Sequence, residues 1–138
     1  MLEKIKSLSL NNFENTVKVR RHIHQYPELS FEEKNTARFI ADELKAIGLV
    51  PQENVAGTGL VALVQGKNPN TKTVALRADI DALPIIEQSD VPYKSQNHGV
   101  MHACGHDVHT SSLLGVARIL NEIKEEFEGT VKLIFQPG

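Results

Sequence analysis

"KTVALRADIDALP", Lys72 to Pro84, opens as an apolar, β-branched run and closes on two aspartates, and its reading decides the fold. Runs of this composition read as strands. A strand that stops at Asp79 and Asp81 presents two carboxylates beyond its C-terminal end, where sites in open α/β sheets are usually built. Two carboxylates at i and i+2 on extended chain point the same way, which suits a pair that collects a cation, or one that orients a ligand while the other bonds to the loop. Taken alone, solvated turn aspartates are the commoner explanation.

Working outward, "GTGLVALVQG" (57–66) is a second apolar run, separated from the first by "KNPNT", a turn-rich insert suited to a hairpin or short loop. The two read as neighbouring strands. Upstream, Ala37, Ile40, Ala41, Leu44 and Ile47 form a helical stripe, with Ser30 and Glu33 in a capping-box pattern and Gly48 as a C-terminal stop. An earlier helix spans about Leu10 to Gln25 and ends at "YPE", because proline disfavours helix in the residue before it. Downstream, Leu114, Ala117, Leu120, Ile123 and Phe127 space a helix over 111–127, and "EGTVKLIFQPG" reads as a third strand. The order α-α-β-β-α-β predicts an α/β fold, a sheet layered with helices in one domain over 1–138.

Composition narrows the function. The 138 residues are 41% hydrophobic and 23% charged, with a net charge of -2, so the chain can bury a core and has no basic stripe for nucleic acid. No apolar run reaches the roughly 20 residues that cross a bilayer, and "MLEKIKSLSLNNFENTVKVRR" lacks a signal-peptide h-region. The single cysteine cannot form an internal disulfide, which makes a cytoplasmic, reducing setting the expectation.

That cysteine sits in "MHACGHDVHTSS" (101–112) with His102, His106 and His109, three of the six histidines, and with Asp107. Cys104 and His106 can both reach one ion across Gly105, which removes a Cβ from the turn. Two other readings stand beside it. Cys104 is a small buried hydrophobe with His106 a surface or N-cap histidine, or Cys104 is a nucleophile, although a histidine at i±2 has difficulty presenting its ring nitrogen to the sulfur. In "RRHIHQYPELSFEE" (20–33), Glu32 and Glu33 read as first-turn acids of the following helix, and His24 as structural.

"RRHIHQYPELSFEE", "VALRADIDALP", "MHACGHDVHTSSLLG" and "GTVKLIFQPG", in this order, resemble the N-terminal part of the M20 family of metallopeptidases, in its amidohydrolase branch. The resemblance implies a zinc-peptidase-like catalytic domain with a mixed β-sheet flanked by helices, holding two divalent metal ions, zinc or manganese. It implies Cys104 and His106 as metal ligands and Asp81 as a catalytic-site carboxylate that orients a ligand, while Asp79, His102, Asp107 and His109 match family positions without an assigned role. The activity implied is cleavage of the amide bond of N-acyl amino acids or small peptides. In the family a glutamate pair follows the strand ending "QPG", with further histidine ligands and a lid domain that often forms the dimer contact. The expectation is therefore an N-terminal part, with the lid absent and no activity alone. Its alternatives are a noncatalytic remnant and a cysteine hydrolase using Cys104.

Overall fold

The computed structural model describes all 138 residues. Its elements are α1 (Leu2–Gln25), α2 (Lys34–Ala46), β1 (Gln52–Val55), β2 (Gly59–Gln65), β3 (Thr73–Asp79), α3 (His106–Glu122) and β4 (Thr130–Gln136), with a 3₁₀ turn at Lys124–Glu126 before β4. The four strands form one mixed sheet in the order β1-β2-β4-β3. The predicted α/β fold, a mixed sheet with helices, is the observed one.

Strand adjacency is a correction. β2 and β3 follow each other in sequence, yet β4 lies between them, antiparallel to β2 and parallel to β3. The insert "KNPNT" is therefore no hairpin turn. It carries the chain across the entry to β4, where Gly66 N–H donates to Gly129 O and Thr130 N–H to Lys72 O, each at 2.8 Å. Gly129 has φ 85°, and a Cβ there would lie 2.5 Å from Lys72 O, so the crossing needs glycine. β3 and β4 are parallel because α3 intervenes, and parallel neighbours need such a crossover. β1 was not expected: "QENV" is exposed or half-buried throughout and shows no apolar alternation.

Alternation along the strands places one face against the helices. Leu60, Ala62 and Val64 of β2 and Leu133 and Phe135 of β4 are buried on that face, packed with Ile40 and Leu44 of α2 and Leu113, Leu114 and Ala117 of α3. α1 lies along α3, and Gly115 lets them approach closely, since a Cβ there would meet Thr16 Oγ1 at 3.1 Å. α1 starts eight residues earlier than its apolar spacing indicates. Its first turns bury nothing, with Leu2, Leu10 and Phe13 all exposed, so they leave no periodic signature. No helix is long and apolar enough to cross a membrane.

The start of α2 is a second correction. Its N-cap is Glu33, without a side-chain cap bond, and its first turn contains no acid. The chain turns through Phe31 at φ 63°, which carries Ser30 away from the helix, and the Ser30 hydroxyl donates instead to Asp81 Oδ2 at 2.8 Å. The Glu33 carboxylate is buried and accepts from Thr58 Oγ1 and from the Gly138 N–H. Glu28 does the capping from outside the helix, accepting the N–H groups of Thr36 at 2.6 Å and Asn35 at 3.2 Å. The C-terminal stop is as expected: Gly48, at φ 88°, donates to Lys45 O while Leu49 donates to Leu44 O, a Schellman arrangement.

α3 begins five residues before the expected start, so His106, Asp107 and His109 belong to its first turn and not to the loop ahead of it. Asp107 is buried there. Its Oδ2 accepts from Arg20 Nε at 2.9 Å and from His24 Nδ1 at 2.8 Å, and its Oδ1 accepts the Val108 N–H. On the far side of the ring, His24 Nε2 lies 2.9 Å from Glu87 Oε1. Glu87 also accepts from Ser89 Oγ at 2.7 Å and Ser95 N–H at 2.6 Å. Burial pushes the Glu87 carboxyl up, but the bonds from His24, Ser95 and Ser89 outweigh it and hold the group at about 2 against an ordinary 4.5.

Two outcomes follow. Glu28→Ala should cost about 1–2 kcal/mol through lost caps, whereas Ser30→Ala should stay within about 0.5 kcal/mol, as read by thermal unfolding followed by circular dichroism. Little loss for Glu28→Ala would contradict its capping role. For Glu87, the folded carboxyl titrates lower than the unfolded one, so its contribution is complete above about 4.5 and disappears as pH falls towards about 2. Urea unfolding between pH 6 and 2 should show wild-type stability falling more steeply than that of Glu87→Gln over this window, and parallel curves would contradict it.

Candidate metal centre

β3 and α3 meet end to end. Asp79 is the last residue of β3, Asp81 lies just beyond it, and His106 opens α3, with Gly105 at the N-cap in the left-handed region at φ 120°. Thr110 ties the two ends together, its hydroxyl donating to Asp79 O at 2.7 Å. The "RADIDALP" and "HACGHDVH" segments thus converge.

The His106 ring is held between the two aspartates. Nδ1 is 2.9 Å from Asp81 Oδ1 and 3.0 Å from Asp81 O, and because a carboxylate and a carbonyl oxygen only accept, Nδ1 carries the hydrogen. Ser30 secures the other Asp81 oxygen. The remaining nitrogen, Nε2, lies 3.6 Å from Asp79 Oδ2, and His109 Nδ1 lies 4.0 Å from the same oxygen. One donor atom from each of Asp79, His106 and His109 falls within 4.8 Å of the others. Arg77 Nη2 donates to Asp79 Oδ1 at 2.6 Å, leaving Oδ2 towards the two rings.

One carboxylate oxygen and two imidazole nitrogens are a donor set that suits zinc or manganese. A histidine whose other nitrogen donates to a carboxylate is also the arrangement that orients metal-bound histidines. The residues therefore fit a divalent ion. His102 adds a further polar group nearby: it is 4% exposed, and neither ring nitrogen has a hydrogen-bond partner. Burial lowers its pKa to about 4, with Asp107 pulling upward, His24 and His106 pushing down and Asp81 pulling up.

The residues singled out in the sequence separate into groups. His106 and Asp81 are in direct contact, with Asp81 in the orienting position. Asp79 and His109, which carried no assigned role, complete the donor cluster. Cys104 is exposed and free, two residues before His106, and lies outside that cluster. Asp107 faces away, towards Arg20 and His24, with both of its oxygens engaged. Ser30 and Glu87 were not anticipated as partners of these groups, since nothing local in the sequence links them to residues 51 and 63 positions away. A separate cavity of about 460 Å³, between α1 and the start of α2 and lined by His22, Tyr26 and Phe39, contains none of the donors.

Residues 75–138 match the model of peptidase family M20/M25/M40. Thermostable carboxypeptidase 1 of Saccharolobus solfataricus is 45% identical over 139 aligned residues, covering 100% of this chain and 35% of its own length. The N-acyl-L-amino acid amidohydrolase of Geobacillus stearothermophilus is 41% identical, covering 97% of this chain and 36% of its own length. A Bacillus subtilis crystal structure, described as a dinuclear metal binding peptidase from the M20 family, superposes with a TM-score of 0.84 at 42% identity, over 91% of this chain and 35% of that one. The chain spans about a third of the length of the curated relatives it matches. The family match over residues 75–138, identity at this level across nearly all of the chain and the shared fold mean that the chain belongs to peptidase family M20/M25/M40.

Proposed function

We propose that the chain supplies part of the metal centre of a metal-dependent amidohydrolase that cleaves the amide bond of N-acyl amino acids or small peptides. The observation that supports this most is the His106 ring, held by Asp81 through Nδ1 so that Nε2 faces Asp79 and His109. Relatives named for N-acyl-amino-acid hydrolysis and for peptidase activity support the substrate class. In this reading residues 1–138 are part of the catalytic domain.

Each residue then has a task. His106 Nε2, Asp79 and His109 would hold a divalent ion, and Cys104 would contribute a thiolate ligand to it or to a second one. Asp81 keeps the His106 tautomer and ring plane fixed, which is a positioning task. When bound, the metal ions polarise the scissile carbonyl and lower the pKa of a water nucleophile. Imidazole and thiolate donors suit zinc, and the carboxylate is the donor that suits manganese.

A cysteine hydrolase is the competing chemistry. A thiol nucleophile needs a base within hydrogen-bond reach. Cys104 makes no hydrogen bond to one: His106 Nδ1 is held by Asp81, its Nε2 faces Asp79, and neither His102 nitrogen has a partner. The geometry counts against the nucleophile role for the cysteine.

In the full-length protein, chelation should abolish hydrolysis of N-acetyl or N-benzoyl amino acids, and added zinc or manganese should restore it. Cys104→Ser and His106→Ala should lower bound metal well below that of His22→Ala, and Asp81→Asn should weaken metal affinity by about 10–100-fold, read by elemental analysis and titration. Chelator-resistant turnover with a trapped acyl-thioester would instead establish Cys104 as the nucleophile, and equal metal content in Cys104→Ser and His22→Ala would remove it from the site.

A further inference from the structure

His24 joins three segments that are far apart in sequence. Its Nδ1 meets Asp107 in the first turn of α3, and its Nε2 meets Glu87 in the irregular segment that leads from β3 back to α3, while His24 itself is on the last turn of α1. Both ring nitrogens face carboxylate oxygens, which only accept, so both donate. The ring and the two acids are almost fully buried: side-chain exposure is 4% for His24, 2% for Glu87 and 1% for Asp107. Arg20 adds a cation at Asp107, its Nε donating to the same Oδ2.

We infer that His24, clamped between Asp107 and Glu87, is a positioning residue for the metal centre, setting where the first turn of α3 places His106 and His109 against Asp79. The inference rests on the metal-centre reading given above. It follows from how a helix divides its faces. His106 and His109 are i and i+3 and share one face, whereas Asp107 lies about 100° around the axis. A grip on Asp107 therefore fixes the rotation of the turn that carries the two imidazoles. The other ties on this turn lie on the strand side, where His106 Nδ1 bonds to Asp81 and the Thr110 hydroxyl to Asp79 O, while the Gly105 N-cap has no side chain to bond the helix end.

Stability alone does not call for charged groups here. Buried ion pairs replaced by packed apolar side chains often leave stability unchanged or improved. What apolar groups cannot supply is directional restraint, and metal sites need it, since ligand distances must hold to within about 0.2 Å. Glu87 extends the restraint to the other side of the site. Through Ser95 it fixes the segment that runs on to Met101, which pairs with Leu83 just before His102 to Gly105.

The test compares wild-type full-length protein with His24→Phe and with the double variant His24→Leu, Glu87→Met. The single variant strands two buried carboxylates and is expected to unfold at lower temperature. The double variant removes the ring and one acid together and leaves Asp107 paired with Arg20. Three quantities are read: the thermal midpoint of the metal-free protein, Co²⁺ affinity by competition with a chromophoric chelator, and the visible d–d absorption of the Co²⁺ form. The double variant should keep its midpoint within a few degrees, bind Co²⁺ at least about tenfold more weakly, and show an altered d–d band. A folded double variant with wild-type affinity and spectrum overturns the inference. So does a double variant that no longer folds, which makes His24 a stabilising residue. Wild-type protein that takes up no Co²⁺ refutes the metal-centre reading itself, and the inference with it.

Discussion

The bond from His106 Nδ1–H to Asp81 is the constraint on which the site depends. It ties the first residue of α3 to the segment just past β3, fixes the tautomer, and turns Nε2 towards Asp79 and His109. Without it the ring has two tautomers and a free rotation about its own bonds, and three donors within 4.8 Å of one another become an occasional arrangement instead of a standing one. The sheet serves that bond. β4, inserted between β2 and β3 and covered by α2 and α3, sets the height at which β3 ends and α3 begins.

Parts of the architecture that bury apolar side chains at a regular period were readable from residues alone. The stripe Ala37, Ile40, Ala41, Leu44 predicts α2, and Gly48 marks its end, because a left-handed C′ residue favours glycine. The apolar runs in "GTGLVALVQG" and "TVKLIFQ" likewise predict β2 and β4. What was not readable depends on long-range partners. The place of β4 between β2 and β3 is decided by α3 packing and by the Gly129 crossing at Lys72, and no local pattern encodes it. The cap on α2 was assigned to Ser30 because the Ser-x-x-Glu pattern is local, while the actual acceptor, Glu28, comes back to Thr36 only after the turn at Phe31.

The site divides in the same manner. His106, Asp81 and Cys104 stand in motifs, so a resemblance to a family points to them. Asp79 and His109 stand in the same motifs, but their part in the donor cluster depends on where the first helical turn begins, and the apolar spacing alone placed that start at Ser111 instead of His106. The buried set Arg20, His24, Glu87 and Asp107 is the least legible of all. Its members belong to three segments, and only the folded chain reveals that two carboxylates close on one imidazole. The same set explains why a domain with a sizeable apolar core carries charges against that core: they hold the turn that bears the candidate ligands.

The most direct measurement is the crystal structure of the full-length protein grown with manganese or zinc, with the ion located by its anomalous scattering. The account predicts an ion bonded to His106 Nε2, at about 2.0–2.1 Å if it is zinc, with His106 Nδ1 still on Asp81. An ion bound elsewhere, or a His106 ring turned to present Nδ1 to the metal, would contradict it.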